Sequence, residues 1–262
     1  MLLNTQVTFW RLIAAVLISC ATASPGWATE VSGLTVEWNF DTVQGDVAHD
    51  SSGNGHDAKL YGATRVRQAD GFALRMDGFN DYVVGGQSAS LGFGGPVSIE
   101  SWIKPTREGH GEATLFGENY STYSMTYYSG ESCYWYIGGG GNNVRGNLTL
   151  NEWNHVTATF DGTQMSLWIN GRLVHSRESK HKTYAPTGHF RIGTKDRPDL
   201  PQFKGFLDRI RIYRRALSGK EILAHFRSEA TEYGFDPNWF DQIRVTPFNY
   251  LDRGEMLIEA DY

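Results

Sequence analysis

The amino-acid sequence predicts an all-β protein, an antiparallel two-sheet jelly-roll sandwich with one short helix near the C-terminal end. Three observations support this prediction. The 262 residues include 30 glycines and 13% aromatic residues, a composition typical of short strands joined by tight turns. Apolar and polar residues alternate in many short segments, as they do along half-buried strands. One segment near the end has the spacing of an amphipathic helix.

The strand segments follow one another along most of the chain and are separated by turn-forming residues. The first, GLTVEWNF at residues 33–40, has apolar side chains at alternate positions, and the turn-rich segment DSSGNGHDA follows at residues 50–58. Later segments with the same alternation are PVSIESWIKP at residues 96–105 and NHVTATFDG at residues 154–162. Many short strands with one helix favour an antiparallel sandwich.

Two local signals predict a hairpin and a helix. Asn170 and Gly171 separate two alternating segments, and this dipeptide suits a two-residue type I′ turn because both positions need a positive φ. Ser218 and Glu221 have the spacing of a capping box at a helix N-terminus. The apolar stripe of this predicted helix, in the segment LSGKEILAHF, consists of Ile222, Leu223 and Phe226.

The N-terminal residues have the features of an export signal. Arg11 precedes an apolar run from Leu12 to Cys20 that is too short to span a bilayer as a helix of the mature protein. Small residues after this run would allow ordinary cleavage, which predicts a signal peptide over residues 1–28 and a secreted or periplasmic protein. Alternatively, the segment LISC resembles a bacterial lipobox, which would make Cys20 a lipid anchor at the outer membrane. Both alternatives predict no membrane insertion after the signal is removed.

Charge and motif content bear on the class of function. The net charge of −5 does not favour a nucleic acid as partner. The sequence lacks the E-x-D-x-x-E pattern that would place carboxylates on one strand face for glycoside hydrolysis, and Glu100 stands alone in its segment. It also lacks the metalloprotease, phosphate-loop and nucleophile-elbow motifs. The sequence therefore favours a binding protein over an enzyme.

One aspartate lies within a strand-like segment, GFLDRIRIY at residues 205–213. Period-two alternation puts Asp208 on the face of the apolar residues, which we expect to point towards the core. A carboxylate there is costly unless an arginine, backbone N–H groups or a metal ion compensates its charge. The adjacent Arg209 and Arg211 point to the opposite face, so we expect a different partner.

Six segments taken in order resemble a known family. They are VEWNFD, DSSGNGHDAKLYG, ALRMDGFNDYV, VSIESWIKP, NEWNHVTATFDGTQMSLWINGRLV and FKGFLDRIRIYRRALSGKEI. The series is similar to the laminin G-like, concanavalin A-like lectin/glucanase jelly-roll domains of exported bacterial proteins and, more distantly, to the pentraxins. The resemblance covers about residues 31–227. It implies a module that binds glycans or proteins, although true enzymes share this fold.

The resemblance also implies one structural calcium ion. The family holds this ion near the end of the first strand, in the turn-rich loop and on the D-x-[VI]-R-[IV]-Y strand, and the matching residues are Asp41, Asn54 and Asp208. Calcium prefers six to eight oxygen ligands, which carboxylates and a glycine-rich loop can supply. The alternative is that Asn54 only forms a turn and that Asp208 pairs with an arginine.

An aromatic-rich stretch at residues 120–141 is the predicted ligand-binding surface. Sugar rings present flat C–H faces that pack on aromatic rings, and the glycines that flank this stretch suggest an exposed loop. We expect Tyr128, Tyr134 and Trp135 to contact a ligand. The alternative is that alternate aromatic residues of this stretch fill the core of the sandwich.

Together these features predict an exported, calcium-stabilised binding module for a polysaccharide or another glycan. One alternative is a glycoside hydrolase or polysaccharide lyase with atypical catalytic residues, and another is an adhesion module that binds a protein. Residues 228–262 follow the part that resembles the family. We expect them to form a C-terminal extension or the start of a further domain.

Overall fold

The fold is described from a computed structural model of the chain. The structure describes residues 33–42, 45–106, 112–119, 122–128, 131–139, 141–179, 186, 188–194 and 202–238. The predicted signal peptide, the possible lipid anchor at Cys20 and the end of the C-terminal extension lie outside these residues. In the part of the chain that is described, no helix is both long and apolar enough to cross a membrane.

Among the residues that the structure describes, sixteen strands form two antiparallel sheets of eight strands each. The two-sheet antiparallel arrangement is the one that the sequence predicts. The strands of sheet A are β1 (Leu34–Trp38), β4 (Thr64–Arg67), β5 (Phe72–Asp77), β7 (Val97–Pro105), β12 (Asn154–Phe160), β13 (Gln164–Ile169), β14 (Arg172–Glu178) and β16 (Lys204–Tyr213). Their order is β14-β13-β12-β7-β16-β5-β4, and β1 also pairs with β16.

Sheet B faces sheet A across the core. Its strands are β2 (Val47–Ala48), β3 (Ala58–Tyr61), β6 (Tyr82–Gln87), β8 (Glu112–Asn119), β9 (Tyr123–Tyr128), β10 (Ser132–Ile137), β11 (Asn143–Asn147) and β15 (His189–Ile192). The order in this sheet is β11-β10-β9-β8-β15-β6-β3-β2. Sequence neighbours lie in different sheets at several points, so the chain crosses between the layers as in a jelly roll.

The inward-facing residues of both sheets form one hydrophobic core. It includes Trp38 and Ile99 from sheet A and Trp135, Phe116 and Phe190 from sheet B, all buried. Trp38 and Phe190 contact each other across the core, with ring centroids 5.8 Å apart. The alternation that predicts the strands arises because each strand has one face on this core.

The predicted hairpin and helix are both present. Asn170 and Gly171 have φ values of 50° and 75°, the positive values that a type I′ turn requires. Helix α1 (Gly219–Glu229) begins after Ser218, whose side chain accepts from the backbone N–H of Glu221, and the Glu221 side chain completes the capping box. A short 3₁₀ helix (Ala230–Tyr233) follows α1 directly.

Strand β16 contains a β-bulge, and this bulge places Asp208 on the sheet face opposite to the predicted one. In its pairing with β7, Asp208 lies opposite Trp102 and Arg211 lies opposite Glu100, so β16 has one extra residue between the two pairs. Arg209, with a φ of 47°, takes up the extra residue. The period-two count fails at this point, and the predicted core orientation of Asp208 is wrong. Asp208 lies on the outer face of sheet A, although it is buried there.

Helix α1 and the 3₁₀ helix cover the outer face of sheet A. Trp102, on the outer side of β7, is fully buried against Phe226 and Tyr233. The rings of Trp102 and Tyr233 are stacked with centroids 3.9 Å apart, and Trp102 Nε1 donates to Glu229 Oε2 over 2.6 Å. The C-terminal helical segment therefore closes a second, smaller hydrophobic cluster.

A buried network of charged side chains lies in the same interface. Glu100 of β7 is 1% exposed and accepts hydrogen bonds from His155 Nε2 at 3.0 Å and from His225 Nδ1 at 2.9 Å. The Arg211 guanidinium contacts Glu100, Glu229 and Glu37. The network joins four strands of sheet A, which are β1, β7, β12 and β16, to helix α1.

This network perturbs the pKa values of its members. Burial alone would raise the pKa of Glu100, but the hydrogen bonds and charges of His155 and His225 hold it well below its usual range. Burial opposes the charged form of His225, but its hydrogen bond to Glu100 outweighs burial and raises the pKa of His225. A raised histidine pKa gives stability that is present below about pH 6.5 and is lost as the pH rises through the folded-state pKa.

We expect Glu100→Gln to lower the free energy of unfolding by about 3 kcal/mol at pH 6, because it removes the buried negative charge that pairs with His225 and with one of the three contacts of Arg211. The loss of wild-type stability between pH 6 and pH 8 should also shrink, since His225 no longer gains from protonation. Urea unfolding at the two pH values measures both effects. Glu152→Gln, an exposed site, is the control, and equal unfolding curves for the two variants would contradict the network's role.

Candidate functional site

The outer face of sheet B carries a cluster of tyrosines. In β10, Cys133, Trp135 and Ile137 point into the core, so Tyr134 and Tyr136 between them point outward. In β9, Tyr128 shares this outer face, because Tyr127 before it lies in the core. The alternation of these two strands therefore collects three phenol rings on one surface.

The three rings contact one another closely. Tyr134 and Tyr136 are stacked, with centroids 5.7 Å apart and planes inclined by 11°. Tyr128 meets Tyr134 edge-on with centroids 4.9 Å apart, and the hydroxyls of Tyr136 and Tyr128 are 3.2 Å apart. Arg145 Nη1 donates to the Tyr134 hydroxyl over 3.4 Å. Tyr128 and Tyr134 remain half-buried, whereas Tyr136 is 6% exposed.

Strand register extends the cluster into two rows across the sheet. The members of each row lie directly opposite one another on neighbouring strands. One row consists of Thr114, Thr126, Tyr134 and Arg145, and the other consists of Gly117, Ser124, Tyr136 and Asn143. We call these eight residues together with Tyr128 the tyrosine face. The residues of β8 and β9 in these rows are buried, whereas Tyr134, Asn143 and Arg145 are partly or fully exposed.

Several hydroxyl groups of the tyrosine face are buried without a partner. The Oγ atoms of Thr114, Ser124 and Thr126 make no hydrogen bond to any residue that the structure describes. A buried hydroxyl without a partner costs free energy that a protein normally avoids. Ordered water can satisfy these buried groups, whereas the accessible part of the tyrosine face includes Tyr134 and Arg145.

Trp135 does not belong to this surface. Its side chain is fully buried in the core between the sheets, in contact with Tyr123 at a ring-centroid distance of 6.3 Å. The prediction that Trp135 contacts a ligand assigned it to the wrong strand face. Tyr134 and Tyr136, its neighbours on β10, occupy the outer positions, and the prediction named only the first of them.

The three residues of the predicted calcium site do not surround one point. Asn54 donates through Nδ2 to the carbonyl oxygens of Leu34 and Thr35 at the start of β1. Asp41 follows the far end of β1, where its Oδ1 accepts from the N–H of Phe72 over 2.9 Å. Asp208 lies nearer to Asp41 than to Asn54, because Trp38 at the end of β1 pairs with Ile210. This set of three does not fit one ion, and calcium itself stays a prediction from the resemblance.

Asp208 has protein partners of its own. Its Oδ2 accepts from the Tyr233 hydroxyl over 2.7 Å, and its Oδ1 accepts from the N–H of Arg209 over 2.7 Å. Burial raises the pKa of Asp208 to about 7, against the effect of these hydrogen bonds, and the nearby charge of Asp41 adds to the rise. The side chain therefore links β16 to the 3₁₀ helix.

A second cluster of polar residues was not apparent from the sequence. One ligand atom each of Glu100, His155 and Glu229 lies within 4.8 Å of the others, a spacing that could hold a metal ion. However, the Arg211 guanidinium contacts the carboxylates of Glu100 and Glu229, and Trp102 Nε1 donates a hydrogen bond to the second oxygen of Glu229. The carboxylate oxygens and His155 Nε2 are engaged, and His155 Nδ1 is buried without a partner among the described residues. The cluster therefore acts as a charged structural network. Its signal in the sequence is polar residues on the outer face of β7, β12 and β16.

Comparison with known proteins places the fold. The family model for the concanavalin A-like lectin/glucanases superfamily matches residues 77–223, more than half of the chain. No curated protein matches the chain.

Solved structures with the same fold include binding domains. Domain 4 of an extracellular arabinanase from Geobacillus stearothermophilus, in complex with arabinotriose, has a TM-score of 0.60 at 19% identity, over 73% of this chain and 97% of that domain. The binding domain of Paraclostridial mosquitocidal protein 1 has a TM-score of 0.61 at 18% identity, over 78% of this chain and 55% of that one. The binding domain of botulinum neurotoxin DC in complex with SialylT has a TM-score of 0.60 at 15% identity, over 75% and 51%. This chain thus spans about half the length of the two toxin domains.

We expect Asp208→Asn to stabilise the protein more at pH 8 than at pH 5. The raised pKa of Asp208 gives stability that is fully present below about pH 4 and is lost as the pH rises through about 7. A neutral asparagine avoids the cost of a buried charge at pH 8. Melting temperatures at both pH values, in chelator and in calcium, measure the effect.

Asp46→Asn, an exposed site, is the matched control for this comparison. If Asp208 bound calcium, Asp208→Asn would instead lower the melting temperature at pH 8 in calcium and remove the difference between calcium and chelator. That result would restore the predicted metal ligand and contradict an Asp208 paired only with Tyr233.

Proposed function

Because the chain belongs to the concanavalin A-like lectin/glucanase superfamily, we propose that it is a binding module for a glycan, and that the glycan contacts the tyrosine face of sheet B. The observation that carries this proposal is the cluster of tyrosines with Arg145 at its edge on one sheet surface, where Tyr128 and Tyr134 are half-buried and Arg145 is exposed. Sheet A cannot offer an equivalent surface around β7 and β16, since the helical segment covers its outer face there.

The chemistry of the tyrosine face suits a sugar. Tyrosine rings offer apolar surface for sugar C–H groups, and their hydroxyls donate and accept hydrogen bonds. The rows of Thr114, Ser124 and Thr126 add short hydroxyl side chains beside the rings. Arg145 supplies N–H donors at the edge of the cluster. A surface with rings on one side and small polar groups on the other can select a sugar by shape and by hydrogen bonding.

The solved structures with this fold support a glycan as ligand. The arabinanase domain is in complex with arabinotriose, and one neurotoxin binding domain is in complex with SialylT. Their identities to this chain are below 25%, so the support extends to the fold and to the class of ligand that the fold can accept. The particular glycan follows from neither the fold nor the site.

Hydrolysis fits the tyrosine face less well than binding does. Glycoside hydrolases place two carboxyl groups on either side of the bond that they cleave. Within the part of sheet B that the structure describes, neither row of the tyrosine face includes a carboxylate. The charged network around Glu100 lies on the other sheet, beneath α1, where a sugar chain has no access. The proposal is therefore a binding module without glycosidase activity at this face.

Export is a second part of the proposed function. It rests on the sequence of residues 1–28 and on the extracellular context of polysaccharides. Expression of the full chain in a bacterial host should yield mature protein outside the cytoplasm with its N-terminus after residue 28. Mass spectrometry of the purified N-terminus distinguishes this result from cleavage before a lipid-modified Cys20, and an uncleaved cytoplasmic chain would contradict export.

We expect Tyr134→Ala to weaken glycan binding at least tenfold and to leave the melting temperature nearly unchanged, because Tyr134 is half-buried on the outer face and contributes nothing to the core. A glycan array that includes arabinan and sialylated oligosaccharides identifies the ligand, and calorimetric titration then gives the affinity. Phe79→Ala removes an aromatic ring that is 72% exposed in the turn between β5 and β6 and serves as the control. Equal loss in both variants, or no loss in Tyr134→Ala, would refute the assignment of the tyrosine face.

A further inference from the structure

A cavity of about 300 Å³ lies at the start of β1, away from the tyrosine face. The residues that line it come from three separate parts of the chain. They are Gly33, Leu34, Thr35, Asn54, His56 and Arg214. None of these lining residues, all within the described part of the chain, carries a carboxylate. Among these lining residues, Arg214 is the one with a permanent charge.

Backbone and side-chain contacts hold the walls of this cavity in place. Asp50 fixes the loop that carries His56, because its carboxylate accepts from the N–H groups of Glu37, Ser52 and His56. On the opposite wall, the N–H of Arg214 donates to the carbonyl oxygen of Gly33. The cavity is therefore formed by anchored segments, as expected of a binding site that exists before its ligand arrives.

The cationic side chain of the cavity retains most of its hydrogen-bonding capacity. Arg214 donates through Nη2 to the carbonyl oxygen of Ser90, and its stem packs on Gly92, where an added Cβ would lie 2.2 Å from Arg214 Cγ. A residue other than glycine is disfavoured at position 92 for two reasons, because its Cβ would clash with Arg214 and because the backbone φ is 95°. Arginine has five N–H donors. The Nε and Nη1 donors of Arg214 have no partner among the residues that the structure describes.

Two further polar groups of the cavity also lack partners. The His56 imidazole makes no hydrogen bond to a described residue, although its backbone N–H and carbonyl are both bonded. The Thr35 hydroxyl, in the buried wall of the cavity, has no hydrogen-bond partner in the described part of the chain. His56 and Arg214 both line the cavity, and both lie near Ser90. Arg214 donates to the Ser90 carbonyl oxygen, and Gly86 packs close to Ser90 Oγ and His56 Nδ1. A guanidinium, an imidazole and a hydroxyl thus belong to the lining of one small cavity.

We propose that this cavity binds the acidic group of a charged sugar, a carboxylate or a sulfate ester, with Arg214 as the principal ligand-binding residue. The guanidinium of arginine pairs with planar or tetrahedral oxyanions through several parallel N–H donors. His56 and Thr35 supply further hydrogen bonds to the anion or to the neighbouring sugar hydroxyls. The sugar part of this inference rests on the proposed glycan function, whereas the anion part rests on the cavity alone.

The test is a ligand-observed NMR titration of the full chain with glucuronic acid, with glucose as its uncharged counterpart and inorganic sulfate as a free anion. We expect glucuronic acid to bind and glucose to bind at least tenfold more weakly. Arg214→Ala should weaken glucuronic acid binding at least tenfold, and Arg214→Lys should weaken it less. Arg75→Ala removes the same charge from an exposed site on β5 and should leave binding unchanged.

Three outcomes would overturn the proposal. Equal binding of glucose and glucuronic acid would show that the anion is not recognised. Unchanged binding in Arg214→Ala, at an unchanged melting temperature, would place the anion elsewhere. Sulfate binding as tightly as glucuronic acid would assign the cavity to a free inorganic anion and not to a sugar. Tyr134→Ala in the same titration separates the two sites, because it should retain glucuronic acid binding even if the tyrosine face fails as a glycan site.

Discussion

The carboxylate of Glu100 is the contact on which the outer layer of this protein depends. It is buried under helix α1, and its two oxygens accept from His155 on β12 and His225 on α1. Arg211 on β16 forms an ion pair with Glu100 and a second ion pair with Glu229 near the end of α1. A buried charge is tolerated only when it is paired and hydrogen-bonded. These groups meet only when β7, β12 and β16 are paired in their native register and α1 is packed on them.

This requirement decides which surface remains for a ligand. The charged network and the cluster around Trp102 occupy the central outer face of sheet A, and the 3₁₀ helix extends the cover through Tyr233 and its bond to Asp208. Sheet B has no such helical cover among the described elements. Its outer face carries the tyrosine cluster, and beside it the hydroxyls of Thr114, Ser124 and Thr126 have no partner among the described residues. The asymmetry between the two sheets, more than any single residue, places the proposed glycan contact on sheet B.

Most of the fold could be predicted from the sequence because its determinants are local. Alternation gives the strands, Asn170 and Gly171 give the hairpin, and the capping box at Ser218 gives the start of α1. The same alternation fails at Asp208, because a bulge inserts one residue and reverses the faces of the strand beyond it. A bulge depends on pairing with a neighbouring strand and leaves little trace in a short segment. The predicted core orientation of Asp208 is wrong for this reason.

The candidate sites were less predictable for a related reason. In β10, alternate residues point to opposite faces of the sheet, and both sets of residues include aromatic rings. The sequence does not indicate which set faces the core, and therefore whether Trp135 or its neighbours can contact a ligand. The charged network could not be predicted from the sequence, because Glu100, Arg211 and His225 are far apart in the chain and come together only in the folded protein. The calcium set combined residues that lie at opposite ends of β1. Tertiary pairing, and not local pattern, decides each of these cases.

The tyrosine face and the Arg214 cavity differ in the property of a glycan that each can recognise. Rings and short hydroxyls respond to the shape and hydroxyl pattern of a sugar, whereas a guanidinium in a cavity without carboxylates responds to charge. The charge term is weakened by salt, and the packing term is nearly independent of it. A polysaccharide that engaged both sites would bind through two contacts on one chain, and the second contact would form at a high effective concentration. An acidic polysaccharide would then be distinguished from a neutral one by a salt-sensitive gain in affinity, although both would contact the same tyrosines.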